Sequence, residues 1–315
     1  MTRLRALGAA IVLALSLSAP SSGEEAATFE PGPQNDPETC RDIWKGIGLP
    51  DYAREDDDDA RTIVCHTRYV LSHNNETKTP DWVFEHLTKK QLGKNTRPKK
   101  GFRADENLPK DKAAVDADYR KSKYDRGHQA PSADFSASAD LMAESFLLSN
   151  IVPQVGRGFN QNIWKRLEDL TRRLVSDGSG RPELYIITGP IYRSDDGRPI
   201  TITAKANACE KRIVIEMPKR ESICGRKLKC EEGVAIPAAL FKIIYDPGLK
   251  RANAFIMPNI NHNEEPDFKN TAEYLRKFQT TVKVVEDFTG LEFFRSLPIR
   301  TRRPINEQCA TMMLH

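Results

Sequence analysis

A chain of 315 residues, 39% hydrophobic and 29% charged, has the make-up of a folded globular protein with room for one large domain or two. That excludes wholesale disorder, collagen-like repetition and a bundle of membrane spans. The formal charge is only +4, and Arg3 and Arg5 supply two of those positives, so net charge says nothing about nucleic acid.

Arg3 and Arg5 precede an apolar run over 9–15, and small residues follow through Ser18, Ala19, Ser21, Ser22 and Gly23. A basic start, a short apolar core and a small-residue exit read as a secretory signal peptide over 1–23. A retained anchor is the alternative, but the run is shorter than the roughly 20 residues a span needs. The expectation is therefore a secreted or periplasmic protein with no membrane segment in its mature form. Six cysteines follow, Cys40, Cys65, Cys209, Cys224, Cys230 and Cys309. An even count behind an export signal favours disulfides over zinc, since no pair has C-x-x-C spacing. Cys40 with Cys65 is the expected first pair, with the others tying the 209–230 segment and the tail.

Residues 24–60 form an acidic extension. Its run Glu55 to Asp59 lacks the glycine and closing glutamate of a calcium loop, so a solvated face is expected there. Branched and aromatic residues predict strands over 63–71 and 82–87. Residues 88–126 then carry thirteen basic and six acidic side chains around Pro98, Gly101 and Pro109. Such a long irregular basic connection is a footprint for a polyanion or, equally, a solvated loop. Helical periodicity follows over 137–148 and 159–175, then strands over 184–188, 212–217, 239–245 and 252–257, then a helix over 267–278. Strands and helices intersperse without regular alternation and without repeats, which predicts an α+β fold with a mixed or antiparallel sheet.

The chemistry concentrates after the basic loop, in Asp125-Arg126-Gly127-His128. A histidine takes a proton from water near neutral pH, and an arginine beside it holds a phosphate oxygen. Downstream, Asn160, Trp164 and Glu168 are spaced four apart, which on a regular helix sets them on one side. An amide oxygen and a carboxylate there suit a hard cation that keeps most of its waters. A structural histidine, an N-capping asparagine and a surface glutamate are the plain alternatives.

Taken together, Asp125-Arg126-Gly127-His128, Asn150-x-x-Pro153-Gln154 and Asn160-Gln161-x-x-Trp164-x-x-Leu167-Glu168 resemble the DNA/RNA non-specific endonucleases. These are the Serratia-type secreted nucleases and mitochondrial endonuclease G, of the ββα-metal superfamily. Asp81-Trp82-Val83, Asp118-Tyr119-Arg120, Thr188-Gly189-Pro190-Ile191-Tyr192 and Thr289-Gly290-Leu291 extend the resemblance over roughly 63–295. It implies a central sheet flanked by helices, with a ββα-metal motif, in a domain over 61–298 followed by a tail over 299–315. It implies His128 as general base, Asn160 as the direct protein ligand of catalytic Mg2+ (with Mn2+ as a substitute), and Glu168 as the carboxylate on metal-bound water. It also implies Arg126 on the substrate phosphate, with Arg97 and Arg172 as further phosphate ligands. The 24–60 stretch, the 209–230 segment and the tail match nothing in the family pattern.

The implied activity is hydrolysis of DNA and RNA by water, giving 5′-phosphorylated oligonucleotides with little base selectivity, because phosphate contacts carry no direct sequence information. A homodimer stays open. Two other readings compete. One is an enzyme of the same fold acting on nucleotides or small phosphodiesters. The other is a catalytically inactive, disulfide-stapled extracellular nucleic-acid-binding protein, which the joint presence of His128, Asn160, Glu168 and Arg126 disfavours.

Overall fold

The computed structural model describes residues 33–53, 60–93, 96–97, 101–176, 180–192 and 233–307, with short pieces at 200–203, 212–215, 221–225 and 227–228. Seven antiparallel strands form the central sheet, in the order Gln279–Thr280, Arg251–Pro258, Ala239–Asp246, Glu183–Ile191, Thr79–Thr88, Tyr69–Asn74 and Arg61–Cys65. The expected α+β fold with a central sheet is what the chain adopts, and the sheet is antiparallel throughout. The run expected as one strand over 63–71 is a hairpin instead. Its chain turns at His66–Arg68, so Val64 pairs back on Leu71. No glycine, proline or asparagine marks that turn, which is why periodicity ran through it.

Both faces of the sheet are covered, as the alternation along Ala239–Asp246 makes plain. Phe241, Ile243 and Tyr245 pack into one layer with Val282 and Val285 of the helix Val282–Thr289. Leu240 and Ile244 pack into the other with Leu167, Leu170 and Leu174 of the helix Lys165–Ser176. Period-two alternation buried on both sides explains the nearly continuous apolar runs of these strands.

Part of the acidic extension is built into this fold. Cys40, Ile43 and Ile47 join the first layer, and Asp51–Tyr52 pairs with Leu291–Glu292. Cys40 and Cys65 form a disulfide across 25 residues of sequence, a loop closure worth about 3 kcal/mol. Cys224 is disulfide-bonded as well. The acidic run Glu55 to Asp59 and the remaining cysteines lie outside the described residues. The tail opens with a helix, Ile299–Glu307, whose Ile305 is buried in the first layer. Among the described residues no helix is long and apolar enough to cross a membrane.

Candidate active site

The motif histidine ends a strand, Tyr124–His128, paired antiparallel with Ile151–Val155. Side chains two apart on a strand share a face, so Arg126 and His128 point the same way. Both meet Phe102. The Arg126 guanidinium lies 5.0 Å from that ring's centroid and the imidazole 5.5 Å from it, with Phe146 edge-on to His128 at 4.9 Å. These apolar walls strip water from the imidazole, and burial lowers its pKa to about 4. His128 is therefore neutral at neutral pH, and its buried Nε2 has no hydrogen-bond partner. A neutral imidazole with an unengaged nitrogen is the state a general base requires. Arg126 gives Nη2 to Asp116 Oδ1 at 2.6 Å, while its buried Nε is unpartnered, so part of the guanidinium fork stays open to an anion.

Close packing fixes this strand pair. A Cβ at Gly127 would stand 2.1 Å from Cδ of the buried Gln154, so glycine is required where the two strands meet. Asn150 then clamps the chain beyond the histidine. Its Oδ1 accepts from Ala130 N at 2.9 Å, and its Nδ2 donates to the carbonyls of Ala130 and Ser145 at 2.9 and 3.0 Å. This explains the asparagine and glutamine of the second motif as architecture rather than chemistry.

Asn160 does not sit on a plain α-helix. The segment Gly156–Trp164 is kinked, with Arg157 (ψ 138°) and Gly158 (φ +81°) turned out of the helical conformation, and the α-helix proper is Lys165–Ser176. A side chain at Gly158 would collide with Asn261 Oδ1 at 2.2 Å, so the kink depends on glycine twice over. Trp164 is fully buried beside Phe159 and Ile163, whereas Asn160 and Glu168 keep partial access to solvent. Asn160 Nδ2 donates to Asp125 Oδ2 at 2.9 Å, and Gln161 Nε2 donates to the same oxygen at 2.8 Å. That pins the amide and leaves Oδ1, which has no hydrogen-bond partner among the described residues, as its free acceptor. One amide oxygen fits a hard cation that retains most of its hydration shell. No group of three or more His, Cys, Asp or Glu is gathered among the described residues.

Glu168 and Arg172 lie one turn apart on the helix, over a buried charged cluster that motif reading missed. Lys242 and Glu85, each only 1% exposed, project from the sheet face that the helix covers. Lys242 Nζ donates to Thr188 Oγ1 at 2.6 Å and stands 5.3 Å from the Trp164 ring centroid. Arg172 is bound by Asp134 and by Asp169 Oδ1 at 2.9 Å. Burial raises the pKa of Glu168 to about 7, against the pull of Lys242 and Arg172. Burial also pushes Glu85 well up and Lys242 down. Three carboxyl groups, Glu85, Glu168 and Asp134, thus share two cations, and burial shifts all three toward the protonated form. The signal was present in sequence: each of Lys242 and Glu85 is a charge inside an otherwise apolar strand run.

Two ties join the motif strand to this helical segment. Asp125 holds Asn160 and Gln161, and Asp134, six residues past His128, holds Arg172. No hydrogen bond links His128 directly to Asn160 or Glu168. Of the basic loop, Arg97 is exposed, with no ion pair among the described residues, and Lys99 and Lys100 lie outside them. Arg103, expected as part of the polyanion footprint, is instead a clamp. Its Nη1 donates to Ala143 O at 2.7 Å, a helix-end carbonyl that also accepts from Phe146 N.

Comparison with known proteins agrees with this geometry. The DNA/RNA non-specific endonuclease family model matches residues 55–299. The mitochondrial nuclease of Saccharomyces cerevisiae is 31% identical over 246 residues, which cover 73% of this chain and 64% of the yeast protein. Nuclease C1 of Cunninghamella echinulata is 30% identical, over 80% of this chain and 88% of its own. Among solved structures, the EndoG/EndoGI complex superposes with a TM-score of 0.61 at 30% identity, covering 83% of this chain and 93% of the other. A sheet-and-helix scaffold carrying these motifs, matched over most of its length, has one assignment: the chain belongs to the DNA/RNA non-specific endonuclease family, hydrolases of nucleic acid.

Proposed function

We propose that the protein is an exported, magnesium-dependent endonuclease that cuts DNA and RNA alike and leaves 5′-phosphates. The observation that carries this reading is His128: neutral, walled by Phe102 and Phe146, with an unpartnered buried nitrogen, and sharing the Phe102 ring with Arg126, whose Nε is also unpartnered. Arg126 orients a phosphodiester by its non-bridging oxygens. His128 takes the proton of the attacking water, and the imidazole's burial keeps it unprotonated until that moment. Asn160 Oδ1 would hold the cation, with Glu168 accepting hydrogen bonds from its water shell, while Asp125 keeps the amide oriented. When bound, magnesium (or manganese) supplies charge neutralisation on the phosphate and the departing 3′ oxygen. Water as nucleophile needs no 2′-hydroxyl, so both sugars serve. Arg97, and Arg172 where its carboxylate partners yield, add phosphate contacts.

Export rests on the basic and apolar start of the chain and on the Cys40–Cys65 disulfide, which persists in oxidising compartments. In this reading 1–23 is a leader, 24–60 an acidic extension, 61–298 the catalytic domain and 299–315 a tail. Supercoiled plasmid and RNA, each incubated with magnesium or chelator, test the proposal. Both polymers should be degraded with magnesium only, and the new 5′ ends should accept labelled phosphate only after phosphatase treatment. Hydrolysis in chelator, or 5′-hydroxyl ends, would overturn the mechanism; tight binding without cleavage would favour an inactive binder.

A further inference from the structure

The helix Lys165–Ser176 has a second charged side. Arg166, Asp169, Arg173 and Ser176 follow one another at three- and four-residue steps and so line up. Facing Gly93 and Ser136, they border an open cleft of about 490 Å³. Arg172 also lines this cleft, so the cleft continues from the proposed site along the helix.

The charges in the cleft do not cancel. Asp169 is already engaged by Lys165 at 2.5 Å and by Arg172 at 2.9 Å, and Arg172 is further neutralised by Asp134. Arg166 and Arg173 have no ion pair among the described residues, and the Nε of Arg166 is buried without a hydrogen-bond partner. A buried guanidinium N–H lacking an acceptor is costly unless a ligand supplies one. The opposite wall is fixed, and it is where the basic connection begins. Gly93 N donates to Ser136 Oγ at 3.0 Å, Thr96 Oγ1 donates to the Ser136 carbonyl, and exposed Arg97 follows directly. Along the helix Arg166 and Arg173 stand seven residues apart, two turns or roughly 10 Å of rise, and Arg172 lies between their side and that of Glu168.

We propose that this cleft is a phosphate subsite of the substrate strand, in which Arg166 and Arg173 hold a backbone phosphate adjacent to the one that is cut. The proposal rests on the endonuclease reading and narrows its substrate class to oligonucleotides of several residues, in preference to dinucleotides or small diesters. Only phosphate is engaged, so sugar and base are not discriminated there.

The test compares wild type with Arg166→Gln/Arg173→Gln and with Arg173→Glu alone, whose exposed side chain can be changed without touching the core. Steady-state kinetics in magnesium on a 20-nucleotide strand and a dinucleotide give the length preference. Anisotropy of the labelled 20-mer in chelator, at several salt concentrations, gives binding without turnover. The double variant should raise KM for the 20-mer about tenfold and shrink the preference for the long substrate by the same factor. Its salt slope should flatten by about 0.7 for the lost single-strand phosphate contact. Arg173→Glu should move both quantities in the same direction. An unchanged length preference with an unchanged salt slope, in variants that melt like wild type, overturns the subsite. If the double variant does not fold, Arg173→Glu decides alone. Were wild type to hydrolyse neither substrate, the endonuclease reading would fall while the metal-free binding arm still judged the cleft.

Discussion

Glu168 offers a quantitative test of how burial perturbs a carboxyl in this fold. The carboxyl sits over Lys242, Arg172 and Asp134, and burial raises its pKa from 4.5 to about 7. A carboxyl whose folded pKa exceeds its unfolded one favours folding while protonated. That contribution is complete below about pH 4.5 and is lost as pH rises through about 7. At about 1.4 kcal/mol per pH unit, the loss reaches about 3 kcal/mol, with partial solvent access drawing it toward 2. Glu168→Gln removes the ionisation but keeps the shape. In chelator, urea unfolding at pH 4.5 should give nearly equal stabilities for variant and wild type, apart from a constant offset. By pH 8.5 the variant should have gained about 2–3 kcal/mol over wild type, while losing nuclease activity. Added magnesium should narrow the gap, since a cation beside the carboxylate favours its charged form. A stability difference that does not change between pH 4.5 and 8.5 would refute the reasoning, because Glu168 would then titrate as an ordinary solvated carboxyl.

Other substitutions report on the neighbouring groups. His128→Ala should cut turnover about a hundredfold or more while strand affinity in chelator holds, since the base acts only in the chemical step; a parallel loss of binding and turnover would make it a packing residue. With its folded pKa near 4, His128 should let activity persist well below pH 6.5, and the stability that depends on its staying neutral should decline as pH falls from 6.5 toward 4. Asn160→Ala should abolish magnesium-dependent cleavage at a stability cost of no more than about 2 kcal/mol, read by nuclease assay and melting; full activity would mean the cation is held elsewhere. Lys242→Met leaves the buried carboxyl groups with one counter-cation fewer, so wild type should exceed it by about 3–5 kcal/mol in urea unfolding at pH 8, and by less at pH 5. Equal losses at both pH values would show that packing, not charge, is what Lys242 supplies.

The candidate site residues stand out without coordinates because they fall in short motifs whose spacing is informative. The Asp125–His128 run, the asparagine and glutamate of the following helix, and the interspersed strands and helices all lie in short stretches where spacing is informative. The Cys40–Cys65 pair was also legible, as the first two cysteines behind an export-like start. Other features depend on residues far apart in sequence. The hairpin at His66–Arg68 carries no turn residue, so only pairing of Val64 with Leu71 reveals it. The kink ahead of Asn160 follows from Gly158 packing against Asn261, about a hundred residues away, and no periodicity encodes that contact. Whether Arg103 faces solvent or clamps Ala143 depends on a helix end forty residues downstream. Most of all, the Glu85, Asp134, Glu168, Arg172 and Lys242 cluster draws on two strands, a turn and a helix. Each looks like an isolated charge until packing removes the water between them, and only then do their titrations couple. Sequence determined which ionisable groups this protein carries; tertiary structure decided their charge states, because desolvation is a property of the packed surroundings and not of the residue.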